Sequence, residues 1–277
     1  MRFVHRIGLS ATPSQLRELE GLGVAARRPT GTALPGDSLS FVAFDVDEEH
    51  PNWSKLRLLF ERWKVSDFLT TEFTKEEVEA ARWLNLVPDW HHGYPQPDED
   101  FGYRRATYDL TDGCDACGIG MKQKAPFQMK GEPKWGRRAI LQLNWVFDEY
   151  FVTPEIWSSV FKPRGIACRP VTNTKGTELK TVVQLVVEEE VGIVPDWLTS
   201  ERCTKCGRVK YRPVTRGFFP ALAASPTRAI VKTSEYFGSG AAAHKRVLVS
   251  HELARALVAV KVRGASYWPV QSANGAS

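Results

Sequence analysis

The sequence lacks long hydrophobic runs, and it does not open with an apolar segment of signal-peptide length. No stretch approaches the roughly 18 residues that a membrane-spanning helix needs, and the opening MRFVHRIGLSATPSQ has no secretory core. Hydrophobic residues make up 43% and charged residues 25% of the 277 residues, which is typical of a globular chain and not of a disordered one. We therefore expect a cytoplasmic protein that has no membrane partner.

Cysteine is also scarce, which excludes a disulfide-stapled scaffold. The chain has five cysteines, few for a secreted protein of this length, and the odd number leaves one without a pair. Four of them form two pairs of the same type, Cys114-Asp-Ala-Cys117-Gly118 and Cys203-Thr-Lys-Cys206-Gly207. Cys168 stands alone and is expected to be a core residue.

Each Cys-x-x-Cys-Gly segment has the pattern of a metal-binding knuckle. Two sulfurs on one tight turn can ligate the same ion, and the following glycine accepts a left-handed backbone that folds around the sulfur. Four thiolates complete a tetrahedral site and leave no open position for catalysis. The pattern predicts one structural Zn²⁺ per chain, with Cys114, Cys117, Cys203 and Cys206 as its ligands.

Three other interpretations of the cysteine pairs remain open. A thioredoxin-like redox pair needs a helix after the motif, but Gly-Ile-Gly-Met and Gly-Arg-Val-Lys follow here. Two disulfides would require an oxidising compartment, for which the sequence gives no signal. A mixed site would take ligands from His91 or His92.

Charge is distributed unevenly along the chain. Residues 1–113 contain 13 Lys/Arg and 19 Asp/Glu, a net of −6, while residues 114–277 contain the remaining 24 and 13, a net of +11. Such asymmetry is typical of two modules with different partners. It is equally consistent with acidic and basic regions that attract each other within one fold.

Five short segments recur in the same order, which indicates an internal duplication. They are Val-Pro-Asp-Trp at 87–90 and 194–197, Cys-x-x-Cys-Gly at 114–118 and 203–207, Arg-Ala-Ile at 138–140 and 228–230, a Val-(Thr/Ser)-x-Glu segment at 152–156 and 249–253, and a Gly-x4-Pro-Val segment at 165–171 and 264–270. The spacing between the first two segments is longer in copy one, so residues 91–108 are an insertion there.

The local patterns predict an α+β fold. In both copies a β-rich run leads into a short helix, with Thr153 and Ser250 as N-cap residues; the second of these helices is expected at Glu252–Val262. In the first part, Phe3–Leu9 and Ser40–Val46 read as strands and Trp53–Trp63 as a helix. A capping box at Thr74–Glu77 opens another helix, with Val78, Ala81 and Leu84 at helical spacing.

The predicted architecture is an N-terminal α/β module followed by two duplicated zinc-knuckle α+β repeats, clipped together by a single four-cysteine zinc site. Its parts are an acidic N-terminal α+β module at 1–86, copy one at 87–171, a linker strand at 172–193, copy two at 194–270 and a disordered tail at 271–277.

A basic stretch follows each knuckle, and nucleic-acid binding is an alternative function for these residues. Zinc knuckles with basic and aromatic neighbours are one way to hold a nucleic acid. Basic loops also occur for solvation alone, and no compact nucleic-acid motif is complete here. The candidate contacts are Lys122, Lys124, Arg208, Lys210 and Arg212.

The insertion opens with His91-His92-Gly93-Tyr94-Pro95, the most unusual local sequence. Histidine can act as an acid or base near pH 7, and Asp98, Glu99 and Asp100 lie close by in the sequence. An enzyme centred on His91 and His92 is therefore one alternative. The other is an aromatic, proline-rich loop, including Tyr94, that packs on the protein or on a partner. No known catalytic motif gives positive support for an enzyme.

The two Cys-x-x-Cys-Gly pairs and the terminal Arg-Gly-x4-Pro-Val at 263–270 resemble the double-CxxCG-motif proteins, a family known as paralogous sets in myxobacteria. The resemblance covers about residues 60–270 and implies metal binding by the four paired cysteines, without a firmly assigned activity. The strand–cap–helix–Gly–x4–Pro-Val ending is also similar to immunity proteins of bacterial polymorphic toxin systems, which bind and block a cognate toxin. The net charge of +5 departs from the acidic character often found in antidotes to nucleases.

The sequence thus favours a non-enzymatic, zinc-binding protein that acts through protein–protein binding, with a toxin-like partner as the implied class. The acidic N-terminal part or the insertion at 91–108 would supply the contact surface.

Overall fold

A computed structural model describes residues 1–26 and 39–272, which form two compact units. The first unit comprises Met1–Lys75 with Thr215–Gly217, and the second comprises Glu76–Val214 with Phe218–Ser277. Within the described ranges, no helix is both long enough and apolar enough to cross a membrane.

In its described residues, the first unit is a three-stranded antiparallel sheet with two helices. Its elements are β1 (Arg2–Ala11), α1 (Pro13–Gly21), β2 (Ser40–Asp47), α2 (Trp53–Trp63) and β3 (Ser66–Glu72), and the sheet order is β2-β1-β3. Alternate apolar residues of β1 and β2 face the helices, so that Ile7, Phe44 and Leu56 share one core. The helix α1 begins at a capping box, in which Thr12 accepts from the N–H of Gln15 and the Gln15 side chain accepts in return.

The second unit contains most of the strands, many of them short. Its first elements are α3 (Lys75–Ala80), β4 (Trp83–Pro88), α4 (Tyr103–Thr107), β5 (Tyr108–Asp109), β6 (Lys122–Gln123), β7 (Gln128–Met129), β8 (Ile140–Leu143), β9 (Val146–Val152), α5 (Pro154–Ile156), β10 (Cys168–Asn173) and β11 (Glu178–Leu185). There follow β12 (Glu190–Val191), β13 (Ser200–Arg202), β14 (Val209–Tyr211), β15 (Ile230–Thr233), β16 (Tyr236–Phe237), β17 (Val247–Ser250), α6 (His251–Ala259) and β18 (Ala265–Pro269).

Two five-stranded sheets organise this unit, and they share a pattern. Their orders are β7-β10-β11-β9-β8 and β12-β15-β17-β4-β18. In each sheet, the strand before a capped helix (β9 or β17) is separated from the strand after it (β10 or β18) by one further strand. In the first sheet that strand is β11, the next in the chain. In the second it is β4, which precedes every other strand of its sheet.

One hydrophobic core joins the two five-stranded sheets. Ile140 and Val152 come from the first sheet, Leu84 and Val249 from the second, and Leu253 from α6, and all five side chains are buried. Because residues of both sheets are removed from water together, the two sheets stabilise each other.

The predicted helix caps are confirmed in both halves of the second unit. The Thr153 hydroxyl accepts from the N–H of Ile156 at 3.3 Å, and the Ser250 hydroxyl accepts from the N–H of Leu253 at 3.2 Å. Pro154 occupies the first helical position. The helix α5 continues as a π-helical turn and a 3₁₀ turn to Arg164.

Some predicted boundaries differ from the structure. The helix predicted to begin at Thr74 ends at Ala80, and Leu84 lies in β4. A strand with buried side chains on both faces has apolar residues at the same positions as the predicted helix, so the pattern did not separate the two. The helix expected at Glu252–Val262 spans His251–Ala259. Residues 76–86, predicted as part of the N-terminal module, lie in the second unit. Of the predicted tail 271–277, residues 273–277 lie outside the described residues.

Candidate metal centre

The four paired cysteines converge in the second unit. Their sulfur atoms all lie within 4.8 Å of one another. The shortest recorded separations link the two pairs, 3.8 Å from Cys114 to Cys203 and 3.7 Å from Cys117 to Cys206. Four sulfurs at ~2.3 Å from a tetrahedral zinc ion would lie about 3.8 Å apart, whereas bonded sulfurs would be about 2 Å apart. The cluster therefore has the dimensions of a metal site and not of two disulfides.

The two knuckles have the same backbone geometry. In the first, the N–H of Cys114 donates to Ile119 and the N–H of Gly118 donates to Cys114. In the second, the N–H of Cys203 donates to Arg208 and the N–H of Gly207 donates to Cys203. Both glycines are left-handed, with φ of 81° and 73°, a conformation that residues with a Cβ rarely adopt. The turn requires a glycine at this position.

The electrostatic environment differs between cysteines of the two knuckles. Burial raises the pKa of Cys117 to about 12. Arg208, through its backbone N–H and its guanidinium, lowers the pKa of Cys206 to about 6. In the metal-free protein at neutral pH, Cys206 is therefore a thiolate ready to bind a cation, and Cys117 must lose a proton when the metal binds.

Lys210, predicted as a candidate contact for a partner, is instead part of the interior. The residue is only 2% exposed. Its ammonium group donates to the carbonyl oxygens of Cys117, Gly240 and Ala242. Lys210 thus ties the first knuckle to the loop at 240–243, and a nucleic acid or protein partner could not reach it without rearrangement.

The other basic candidates fall into two groups. Lys122 forms a 2.9 Å ion pair with Asp112, and Arg208 donates to the Asp112 carbonyl oxygen at 2.7 Å. Lys124 and Arg212 are exposed. The structure brings Lys122 and Arg208 together beside the cysteines, where an acidic residue already neutralises Lys122.

His91 and His92 point to different neighbours. The ring of His91 lies 6.3 Å from that of Phe147, and the ring of His92 lies 5.5 Å from that of Trp90. Partial burial lowers the pKa of both histidines. The carboxylate of Asp98, six residues after His92 in the sequence, pairs with Lys130 at 3.1 Å.

Neither histidine belongs to the metal cluster. Among residues 1–26 and 39–272, the four cysteines are the one set of three or more His, Cys, Asp or Glu side chains placed to hold a metal ion. The proposed mixed ligand set with His91 or His92 is therefore wrong. Cys168 also lies outside the cluster, half-buried in β10.

Tyr94, from the same insertion, belongs to an aromatic group that the sequence did not reveal. The ring of Tyr94 lies 4.3 Å from that of Trp145, and the ring of Phe101 lies 4.4 Å from the same Trp145 ring. We call Tyr94, Phe101 and Trp145 the aromatic surface; they are 43%, 44% and 37% exposed. Trp145 adopts φ of 67° in the turn between β8 and β9, a backbone region that is uncommon for a large side chain and that occurs often at functional sites.

Comparison of the chain with protein-family models, curated proteins and solved structures gives no match. The chemistry of the donor set is nevertheless specific. Four thiolates in a tetrahedral arrangement suit zinc, and they close its coordination sphere to water, as in structural sites. Such a centre stabilises a fold and leaves no position for a substrate.

Proposed function

We propose that the chain is a non-enzymatic zinc-binding protein in which one structural Zn²⁺ joins two knuckles. The observation that carries this proposal is the convergence, within 4.8 Å, of sulfur atoms from cysteine pairs that lie 89 residues apart. In the unfolded chain the two cysteine pairs are not held together. The metal site forms only as the chain folds, so the free energy of metal binding contributes directly to folding.

We further propose that the two halves of the second unit arose by duplication. Matching strands, caps and knuckles support this, as does the equal placement of β11 and β4 in their sheets. On this proposal β4, which comes from the start of the second unit, takes in the second repeat the place between β17 and β18 that β11 takes between β9 and β10 in the first. The two Val-Pro-Asp-Trp segments are not equivalent in the pairing. Val87 and Pro88 pair with Ser266 and Ala265 of β18, whereas the N–H of Val194 donates to Ala221, next to the bridge of Ile193 to Leu222.

The activity that we propose is binding of another protein through the aromatic surface. Exposed aromatic side chains that are held rigidly are enriched at the centres of protein interfaces, because they bury much area at little cost in entropy. The surface includes part of the insertion at 91–108, and Arg104 lies 4.9 Å from the ring centre of Phe101. A toxin-like partner, as in immunity proteins, is the class that the sequence resemblance supports.

Nucleic-acid binding is the alternative to protein binding, and the pairing of the basic residues supports it less well. A phosphate-binding surface needs cations that are free to release counterions. Lys210 is buried, Lys122 is paired with Asp112, and Lys205 is paired with Asp115 at 2.7 Å.

Affinity capture with a tagged chain in its native cells tests the protein-binding proposal. We expect a protein that the wild type retains and that Trp145→Ala loses. Trp197→Ala is the matched control, because Trp197 is 52% exposed and lies outside the aromatic surface. Zinc content and circular dichroism of both variants establish that the fold is kept. If no captured protein depends on Trp145, the aromatic surface is not the binding site.

A further inference from the structure

The second unit contains a cavity of about 480 Å³ that the metal centre does not use. Its volume falls within the range of small-molecule sites. Strands of both five-stranded sheets line it, and Gly118 of the first knuckle lies at its border.

A buried ion pair forms part of the cavity wall. Lys232 on β15 donates to Glu149 on β9 at 2.5 Å, and their side chains are 11% and 12% exposed. The second oxygen of Glu149 accepts from the Gln184 amide at 2.9 Å. These hydrogen bonds occupy both oxygens of Glu149, so this pair shapes the wall and offers little to a ligand.

Asp148, next to Glu149 in the chain, is different. Its carboxylate is half-buried and lines the cavity. Its recorded hydrogen bond within the described chain is to the backbone N–H of Lys245 at 3.3 Å, while the ammonium of Lys245 pairs with Glu190. Glu149 pairs with Lys232 and Glu190 with Lys245, whereas Asp148 has no recorded ion pair among the described residues. The lining also contains Glu188, Arg169 and Lys122, and Lys122 pairs with Asp112.

The pKa of Lys232 reflects the carboxylates around it. Burial lowers the pKa of Lys232, but the carboxylates of Glu149, Asp148 and Glu190 outweigh it and raise the pKa overall. A half-buried carboxylate without a cationic partner is costly, and an added cation relieves that cost.

Aromatic and neutral polar groups form another part of the wall. Phe147 lies beside Asp148, is 38% exposed, and its ring lies 5.1 Å from that of His244. The Nδ1 atom of His244 is buried and has no hydrogen-bond partner among residues 1–26 and 39–272. Burial and the charge of Arg246 lower the pKa of His244 to about 4, so the ring is neutral at physiological pH and does not repel a cation.

From this geometry we propose that the cavity is a binding site for an organic amine in its ammonium form. The carboxylate of Asp148 accepts hydrogen bonds from the ammonium group, and Phe147 packs against the apolar or aromatic body. Carboxylates and aromatic faces together are the groups that recognise organic cations in proteins. Trp145 of the aromatic surface also lines this cavity, so the two proposals share one residue, but amine binding does not require that a protein binds there.

Isothermal titration of the zinc-loaded full chain with three probes of similar shape tests the proposal. The probes are 2-phenylethylamine, 2-phenylethanol and 3-phenylpropionate. We expect the amine to bind, and the alcohol and the acid to bind at least about tenfold more weakly, because a charge-assisted hydrogen bond is lost. Equal binding of the alcohol, preference for the acid, or no binding of the amine at millimolar concentration overturns the proposal.

Two variants locate the site. Asp148→Asn should weaken amine binding by about tenfold or more, while Asp196→Asn, which changes an exposed carboxylate outside the cavity, should leave it unchanged. Phe147→Leu keeps the charge, reduces the aromatic contact and should also weaken binding. Zinc content and thermal unfolding check the fold of each variant. Unchanged affinity in both Asp148→Asn and Phe147→Leu places the amine elsewhere and overturns the assignment.

Discussion

A Cβ atom on Gly118 would lie 2.6 Å from the carbonyl oxygen of Ala241. The first knuckle therefore packs directly against the loop at 240–243, with its backbone in contact and no side chain between them. Lys210 donates to carbonyl oxygens on both sides of this contact, those of Cys117 and Ala242. The same loop leads into His244 and Lys245 of the cavity, so the metal centre and the cavity share a wall.

This contact predicts that Gly118→Ala destabilises the protein more than a glycine substitution at a similar backbone conformation. Gly176 is the matched control, because its φ of 80° is close to the 81° of Gly118 and nothing lies within 4 Å of its Cβ position. The left-handed backbone costs both variants about 1–2 kcal/mol. Overpacking adds about 1–3 kcal/mol at Gly118 alone. Urea unfolding of the two variants measures the difference, and equal losses would show that the loop yields freely.

Metal content should depend on the paired cysteines and not on the fifth. We expect the wild type to contain one zinc per chain, Cys203→Ser to lose most of it, and Cys168→Ser to keep it, because Cys168 lies outside the cluster. Loss of the metal should lower the unfolding temperature, since binding and folding are coupled. Elemental analysis and thermal unfolding provide the two measurements. Full zinc occupancy in Cys203→Ser would contradict a four-cysteine site.

The thiols of the metal-free protein should titrate unequally. With a pKa of about 6, Cys206 should deprotonate below neutral pH, well before an ordinary cysteine. Thiolate absorbance in the far ultraviolet should show this first step in the wild type. In Arg208→Met the guanidinium is lost but the backbone N–H remains, so the step should move part of the way toward higher pH. Zinc affinity in slightly acidic solution should depend on the same step, because protons then compete with the metal. An unchanged first step would mean that the Arg208 side chain does not act on this sulfur.

Lys210 should matter for stability in a way that an exposed lysine does not. Lys210→Met removes a buried ammonium and leaves the carbonyl oxygens of Cys117, Gly240 and Ala242 without their donor, which should cost about 1–3 kcal/mol. Lys205→Met is the control, since Lys205 is exposed and pairs with exposed Asp115, a type of pair worth less than about 1 kcal/mol. Chemical denaturation at one pH compares the two. Similar small losses would indicate that water replaces the Lys210 ammonium.

The sequence allowed the metal centre and the local caps to be predicted, because both depend on short-range patterns. The Cys-x-x-Cys-Gly spacing defines a turn, and Thr153 and Ser250 can satisfy the free N–H groups of a helix wherever it packs. The position of β4 between β17 and β18 depends on pairing partners more than 150 residues away, and nothing in its own residues encodes them. Lys210 lies in a basic stretch, and only the carbonyl groups of a distant loop show that it is buried.

The last prediction concerns the pair of Lys232 and Glu149, which links the two five-stranded sheets. Lys232→Met should destabilise the protein by about 3–5 kcal/mol, because it leaves a buried carboxylate without its partner. Arg6→Met should cost less than about 1 kcal/mol, since Arg6 and Asp45 form an exposed pair in the first unit.

The loss should also depend on pH in a definite direction. Burial already raises the pKa of Glu149 above 4.5, and Lys232 opposes that rise. Without Lys232 the folded-state pKa rises further, so the folded protein retains a proton that the unfolded chain releases above about pH 4.5. The destabilisation should therefore be smallest below that pH and grow as the pH increases toward neutrality. Adding Glu149→Gln to Lys232→Met should remove the pH dependence and recover part of the stability. A loss that is the same at every pH would mean that Glu149 reaches water when its partner is removed, so that its pKa is the same in the folded and unfolded chains.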